Sequence, residues 1–246
     1  HMANIIAKGI DVSKWQGVID WAKVKSSGAV DFAIIRATCG TTYTDPCLAA
    51  NVQGCEAAGI PYGFYHYTYA TTADEAKKEA EHFLSAIKSY KPSYPVFYDI
   101  EDPSIQNLGK TVLTDMAVAF GSAVEAAGYY AGIYASKYWF SSVLDYSRLK
   151  RFDCWLAQYA SAPTWTGNYG IWQYSSTGQI SAISGNVDLN YCYRDYPALT
   201  CSLPGHRKAT YTLSLTDISR RDEAEELAAK IAAAYGYKNH VIVEVR

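Results

Sequence analysis

The chain has 246 residues, which suits one large domain, or one domain with a small appendage. Hydrophobic residues make up 49% of it, enough for a sizeable core. The formal net charge of −2 gives no electrostatic support for binding nucleic acid or an anionic membrane, and no apolar run reaches membrane-spanning length. The first two residues, His1-Met2, are typical of a cleaved expression tag, and no signal peptide is visible.

Strand-like and helix-like segments alternate along most of the chain. The predicted strands cover residues 8–13, 31–38, 61–68, 95–100, 130–135, 154–159, 170–175 and 185–190. The predicted helices cover 19–27, 45–59, a segment that follows a capping box at 72–75, 110–127, and a short stretch within 136–152. No convincing helix separates the last three strands.

This alternation with short connections predicts a parallel sheet with helices outside it. Eight strands that close on themselves would form a barrel that has lost its later helices. A doubly wound open sheet is the alternative. Nucleotide binding by such a sheet needs a glycine-rich turn after the first strand, and residues 11–14 do not provide one.

The stretch 94–102 carries the most distinctive chemistry. Its first half has the branched and aromatic residues of a buried strand, and Asp99, Glu101 and Asp102 follow within four positions. Asp99 and Glu101 are two residues apart, so they project from the same side of extended backbone. Adjacent acids are costly to bury but useful when they must differ in protonation state. A solvated acidic turn is the alternative.

Polar residues follow the predicted strands at the end where parallel barrels carry their working residues. They are Asp11, Arg36, Tyr65, His66, Tyr67, Asp99, Glu101, Tyr134, Gln173 and Asp188. Four carboxylates without a His or Cys cluster make a poor transition-metal site, and no Ser-His pair is present. An acidic, aromatic opening favours glycoside hydrolysis. The rival is a Mg²⁺ or Ca²⁺ site built from the same acids.

Several of these residues also have structural interpretations. Arg36 either balances the acids or contacts substrate, and His66 is more typical of a satisfied core histidine than of a catalyst. The 22 Tyr and 6 Trp suit sugar stacking, but a tyrosine-rich core would look the same. The six cysteines form no CxxC or zinc-like spacing, so most are expected to be free thiols, with Cys192–Cys201 left open as a pair.

Six short motifs together resemble glycoside hydrolase family 25, the N-acetylmuramidases or Chalaropsis-type lysozymes. They occur in order between residues 7 and 192: Gly9-Ile10-Asp11-Val12-Ser13 with Trp15-Gln16-Gly17, Ile35-Arg36-Ala37-Thr38, Gly63-Phe64-Tyr65-His66-Tyr67, Tyr98-Asp99-Ile100-Glu101, Ile171-Trp172-Gln173-Tyr174 and Val187-Asp188-Leu189-Asn190.

The resemblance implies an irregular (β/α) barrel of eight mainly parallel strands with about five helices. It implies cleavage of the β-1,4 bond between N-acetylmuramic acid and N-acetylglucosamine in bacterial peptidoglycan, outside the cell or in its wall, without cofactor or metal. Glu101 would be the general acid and Asp99 the second catalytic carboxylate, with Asp11 and Asp188 beside them. We expect the substrate to contact the residues Arg36, Tyr65, Tyr67, Tyr134 and Gln173.

The stereochemical course stays open, because the spacing of Asp99 and Glu101 does not decide it. Residues i and i+2 on a strand are about 6.6 Å apart at Cα. Retaining and inverting glycosidases separate their carboxyls by about 5.5 Å and about 6.5–9.5 Å. Our hypothesis is retention assisted by the 2-acetamido group of the substrate. A non-catalytic sugar-binding barrel and a hydrolase of chitin-type polymers are the alternative functions.

The domain prediction is a catalytic barrel at 3–195, a linker at 196–208 and a small βαβ module at 209–246. The module is too short to bury a core unaided. It is expected to dock on the barrel, to self-associate, or to be half of a larger domain. Wall attachment is one hypothesis for its role, and a packing appendage is the other.

Overall fold

The computed structural model describes residues 4–200. The predicted module 209–246 and residues 201–208 of the predicted linker lie outside the described residues. None of the helices within 4–200 combines the length and apolar character that a membrane crossing requires.

Nine strands of the described chain form one sheet, and eight of them close into a barrel. The strands are β1 (Ala7–Val12), β2 (Phe32–Cys39), β3 (Tyr43–Thr44), β4 (Tyr62–Tyr67), β5 (Val96–Asp99), β6 (Ala131–Ser136), β7 (Asp153–Ala157), β8 (Ile171–Gly178) and β9 (Val187–Cys192). The two-residue strand β3 is not part of the closed ring, because it pairs only with the end of β2.

Helices surround the first part of the barrel and are missing from its last part. They are α1 (Trp21–Ser26), α2 (Leu48–Ala58), α3 (Ala73–Ile87), α4 (Lys110–Ala126), α5 (Tyr146–Leu149) and α6 (Tyr196–Thr200). A single π-helical turn, Trp139–Val143, precedes α5. No helix separates β7, β8 and β9, as predicted, and the irregular α/β barrel is confirmed.

The last strand, β9, runs against both of its neighbours. Every other neighbouring pair in the ring is parallel, whereas β9 is antiparallel to β8 and to β1. We predicted that the eighth strand brings Asp188 to the active end at its carboxyl terminus, and that direction was wrong. Asp188 lies at the start of β9 and faces Asp11 across the β1–β9 pair because the strand is reversed.

The inside of the barrel changes from apolar to polar along its axis. Alternate residues of each strand point inward, and those near the floor form a cluster of large side chains that includes Phe32, Phe97 and Trp155, each no more than 1% exposed. Further along the same strands the inward positions become Arg36 on β2 and Asp99 on β5. We call this polar end, where the carboxyl ends of the parallel strands meet, the mouth.

The outward residues of the strands form a second core beneath the helices, as expected for a covered parallel sheet. The floor of the barrel is closed by the segment after β9. Tyr196 is fully buried, and its hydroxyl donates to Asp153 at 2.8 Å. Arg194 also pairs with Asp153, at 2.7 Å. Barrel packing therefore extends through α6, which occupies the first five residues of the predicted linker.

Candidate active site

Four carboxylates converge on the mouth from three strands and one loop. Asp11 lies near the end of β1, Asp99 at the end of β5, and Glu101 two residues beyond it. Asp188 joins them from the start of β9. Charge interactions link Asp99 with Glu101 and Asp11, and Asp11 with Asp188. The structure thus brings together the four acids that we predicted to be catalytic.

Asp11 is held by two amide side chains from neighbouring strands. Its Oδ2 accepts hydrogen bonds from Gln173 Nε2 at 2.9 Å and from Asn190 Nδ2 at 2.8 Å. The hydroxyls of Tyr134 and Tyr159 donate to Gln173 Oε1, at 2.9 and 3.0 Å. These donors fix which way the Gln173 amide points, so its NH₂ group must face the acid.

The second amide is oriented in the same way. The indole N–H of Trp155 donates to Asn190 Oδ1 at 2.7 Å, which turns the Asn190 NH₂ group toward Asp11. Gln173 and Asn190 are each 1% exposed. Gln173 therefore lies behind the acids and positions Asp11, whereas we expected it to contact substrate.

Asp99 and Glu101 have different surroundings although they are close in sequence. Asp99 is 7% exposed, and its Oδ1 is buried without a hydrogen-bond donor among residues 4–200. Glu101 is half-buried, and its Oε2 accepts the backbone N–H of Ser136 at 2.7 Å. One carboxyl is thus anchored at the rim of β6, while the other retains an unused buried acceptor.

The mouth favours the protonated forms of its acids. Burial raises the pKa of Asp99 well above its ordinary range, and the charges of Glu101 and Asp11 raise it further. Burial and then the nearby Asp188 do the same to the pKa of Asp11. Burial also raises the pKa of Glu101, against the opposing effect of the Ser136 N–H. A raised pKa lets a carboxyl carry a proton near neutral pH, as a general acid must.

Arg36 does not bond directly to these acids. Its Nε and Nη2 lie 2.8 and 2.7 Å from Asp45 Oδ2. The short strand β3 folds back on β2 and thereby brings Asp45 beside Arg36. Asp45 is 2% exposed and also accepts the backbone N–H groups of Lys14 and Cys47. Asp45 therefore ties the loop after β1 to Arg36.

A cleft of about 590 Å³ opens at Arg36 and Tyr67, on the side of the loops after β1, β2 and β4, and none of the four acids lines it. Its lining residues are Lys14, Trp15, Arg36, Cys39, Gly40, Thr41, Thr42, Tyr43, Tyr67 and Tyr69. Trp15 and Tyr69 are 76% and 56% exposed. Such exposed rings suit stacking on the apolar faces of sugars.

Three further residues that we listed at the strand ends, Tyr65, Tyr67 and His66, have different surroundings. Tyr65 is partly buried at the mouth and packs edge-on against Trp155. The hydroxyl of Tyr67 donates to Asp102 at 2.7 Å. His66 points to the outer core, with Nδ1 2.7 Å from the Thr38 hydroxyl and no exposed surface. Its interpretation as a satisfied core histidine agrees with these contacts.

Sequence reasoning missed five residues that hold the acids, Arg36 or Gln173 in place: Asp45, Ser136, Trp155, Tyr159 and Asn190. It also did not single out Lys14, Trp15, Tyr43 and Tyr69 in the cleft. Two signals were available: Asn190 lies two positions after Asp188, on the same side of a strand, and Tyr159 ends a predicted strand.

Among residues 4–200, no group of three or more His, Cys, Asp or Glu side chains is arranged to hold a metal ion. Cys192 is a free thiol whose Sγ lies 3.2 Å from the Arg194 carbonyl oxygen.

Comparison with known proteins shows the family and the fold of the chain. The profile of glycosyl hydrolases family 25 matches residues 10–183. The chain is 32% identical over 184 residues to the autolytic lysozyme of Clostridium acetobutylicum, covering 74% of this chain and 55% of that one.

Two solved structures have the same fold. The modular autolysin LytC of Streptococcus pneumoniae, in complex with a synthetic peptidoglycan ligand, superposes with a TM-score of 0.70 at 29% identity. That match covers 76% of this chain and 46% of LytC. The lysozyme of Streptomyces coelicolor gives 0.66 at 29% identity, covering 79% of this chain and 95% of that one.

This chain thus spans about half the length of two of the relatives it matches. The family profile covers more than two thirds of the 246 residues. The chain belongs to glycosyl hydrolase family 25.

Proposed function

We propose that this chain is a peptidoglycan hydrolase that cleaves the β-1,4 bond between N-acetylmuramic acid and N-acetylglucosamine in bacterial cell wall, outside the cell or within the wall. The observation that carries the proposal is the convergence of four acids on one mouth, with raised pKa values, next to an aromatic cleft. Opposed carboxyl groups around a sugar-sized opening are what glycosidic cleavage requires.

Glu101 is the general acid in this proposal. Its raised pKa keeps a proton available, and its half-buried position leaves the carboxyl accessible from the mouth. Ser136 holds Oε2 through its backbone N–H, and the Tyr134 side chain also hydrogen-bonds the carboxyl, so Glu101 is held in place to protonate the glycosidic oxygen of the substrate. Protonation of that oxygen lets the bond to the anomeric carbon break.

Asp99 receives the 2-acetamido N–H of the substrate. Its buried Oδ1 without a donor is costly, and a substrate N–H at that point would remove the cost. The acetamide carbonyl oxygen then attacks the anomeric carbon as the leaving oxygen takes the Glu101 proton. Water opens the resulting oxazolinium ion and returns a proton to Glu101, and Asp11 and Asp188 line the mouth beside the reacting centre.

This course predicts retention of configuration. Cleavage of a soluble glycan of alternating N-acetylglucosamine and N-acetylmuramic acid should release the β-anomer first, and mutarotation should then equilibrate it. Proton NMR spectra recorded within the first minutes of reaction, at an enzyme concentration that outpaces mutarotation, identify the anomer. An α-anomer as the first product contradicts the acetamide-assisted step.

The cleft at Arg36 and Tyr67 holds a neighbouring sugar of the chain. Trp15, Tyr43 and Tyr69 offer ring faces, and Lys14 adds positive charge at the same place, whereas the charge of Arg36 is balanced by Asp45. The Lys14 ammonium lies 4.8 and 5.3 Å from the ring centres of Trp15 and Tyr43. A cationic and aromatic wall suits a polymer that carries lactyl and peptide carboxylates.

Two polymers distinguish the proposed substrate from its nearest relative. We expect the chain to clear a suspension of purified bacterial walls and to release new reducing ends from it. Chitin, which shares the acetamide but lacks the lactyl ether, should be cleaved much more slowly. Equal rates on chitin would assign the enzyme to N-acetylglucosamine polymers, and binding of walls without cleavage would show a non-catalytic barrel.

A further inference from the structure

Glu79 is a carboxylate that the proposed reaction does not use. Glu79 lies on α3 and is 1% exposed. Its Oε1 accepts the backbone N–H groups of Tyr69 and Ala70, at 2.9 and 3.1 Å. Its Oε2 accepts the hydroxyls of Thr68 and Tyr98, at 2.6 and 3.3 Å, and lies 3.3 Å from His66 Nε2.

This is an unusual set of donors for a buried acid. A buried carboxylate is kept ionised by hydrogen bonds and nearby positive charge, and here two backbone N–H groups and the Thr68 hydroxyl donate to its two oxygens, with the Tyr98 hydroxyl shared between Thr68 and Glu79. His66 accepts the Thr38 hydroxyl at Nδ1, which leaves the ring proton on Nε2, 3.3 Å from Glu79 Oε2. Burial lowers the pKa of His66 and so favours the same neutral ring.

The residues that Glu79 holds lie immediately behind Asp99. Thr68 donates its backbone N–H to the carbonyl oxygen of Asp99 at 3.1 Å. Tyr98 directly precedes Asp99, and its hydroxyl donates to Thr68 Oγ1 at 2.7 Å. Glu79 therefore joins the carboxyl ends of β4 and β5 at the point where the Asp99 side chain enters the mouth.

The Asp99 side chain has little else to orient it. No donor among residues 4–200 reaches its Oδ1. The carboxylate accepts a hydrogen bond from the backbone N–H of Glu101. The direction of this carboxylate is thus set by the backbone around it. The same loop also carries Tyr69 into the cleft.

We infer that Glu79 is a positioning residue for catalysis: through Thr68 and Tyr98 it sets the place of the Asp99 carboxylate. The expected effect on the rate rests on the proposed function, whereas the positioning of Asp99 does not. A displacement of about 1 Å at a reacting group can lower the rate on the order of 100-fold, so a modest shift of Asp99 is measurable.

The test compares Glu79→Gln with Glu81→Gln in the full chain. Both changes remove one carboxylate from α3, but Glu81 is exposed. Tyr98→Phe is a milder second variant, because it removes one hydroxyl and keeps the charge of Glu79. All assays run at a fixed interval below the unfolding midpoint of each variant, so that loss of stability does not enter the comparison.

The first readout is the titration of Asp99 itself, followed by NMR of the chain labelled with ¹³C at its aspartate carboxyls and assigned with Asp99→Asn. The groups that face Asp99 include Glu101, Asp11 and Arg36, and none of them is altered. Loosening the ends of β4 and β5 admits water, which relieves the burial that raises the Asp99 pKa. The midpoint should therefore fall in Glu79→Gln, fall less in Tyr98→Phe, and stay unchanged in Glu81→Gln.

The second readout is kinetic, on soluble glycan strands prepared from bacterial wall. We expect kcat of Glu79→Gln to fall at least about tenfold while KM changes less than about threefold. An Asp99 titration and a kcat that match the wild type in both Glu79→Gln and Tyr98→Phe would overturn the inference. A wild-type chain that cleaves no wall would instead overturn the proposed function, and the NMR titration would still decide the role of Glu79.

Discussion

Replacement of Glu101 by Gln is expected to abolish wall lysis without unfolding the chain. Gln cannot supply the proton that the leaving oxygen needs, and general acid catalysis contributes on the order of 10²–10⁴ in rate. The Gln side chain can still accept the Ser136 N–H, so the local backbone should keep its place. The wall-clearing rate should fall by about 100-fold to 10,000-fold, with an unchanged circular dichroism spectrum.

Asp102→Asn is the matched control for this experiment. Asp102 is the next residue in the chain, but hydrogen bonds from Ser104 and Tyr67 keep the pKa of its carboxyl low despite partial burial. It is thus ionised when a general acid must be protonated, and its replacement should leave most of the activity. Lysis retained by Glu101→Gln would remove Glu101 from the acid role.

Replacement of Asp99 by Asn is expected to stabilise the fold at neutral pH while it slows catalysis. The folded state raises the Asp99 pKa because it buries the carboxyl beside Glu101 and Asp11. The folded chain therefore holds this proton to a higher pH than the unfolded chain does. Stability then falls as pH rises above about 3.9, the ordinary value for Asp, and the penalty is complete once the pH exceeds the folded value.

An Asn at this position carries no charge and avoids that penalty. A gain of about 1 kcal/mol in a domain of this size raises the unfolding midpoint by about 2–4 °C. The gain should be present at pH 7 and absent near pH 3, where Asp99 is protonated in both states. Differential scanning calorimetry at the two pH values measures it.

Asp74→Asn serves as the control with the opposite sign. Asp74 is exposed in the first turn of α3, and its hydrogen bond with Lys77 lowers the pKa of its carboxyl. Its contribution is present at pH 7 and lost on acidification, so Asn should lower the midpoint slightly. A lower unfolding midpoint for Asp99→Asn at pH 7 would contradict this prediction, because it would show that the buried Asp99 carboxylate does not destabilise the fold.

The barrel could be predicted because its strands follow simple rules. Each parallel strand is a short apolar run with a polar residue at its end, and helices with clear stop signals separate the first five. The positions of Asp11, Asp99 and Glu101 follow from those rules alone. We predicted Asp188 at the mouth correctly but with the wrong direction for its strand. The position holds because side chains alternate in the same way in either strand direction.

The supporting residues could not be predicted in the same way. Asp45 meets Arg36 only because a two-residue strand folds back on β2, and the sequence analysis predicted no strand there, only the start of the helix at 45–46. Glu79 resembles one more solvated acid of an acidic helix, although it lies three residues after Ala76 and four before Phe83, on the apolar side. Such contacts depend on tertiary geometry that no local pattern encodes.

The reversed direction of β9 has a consequence for how the protein can be extended. Ala7 pairs with Cys192, so the polypeptide enters the barrel and leaves its last strand at the floor, opposite the acids. Thr200 stays on that side, where its hydroxyl donates to the carbonyl oxygen of Ser93, just ahead of β5. A segment joined at either point would therefore start on the floor side of the barrel, opposite the four acids.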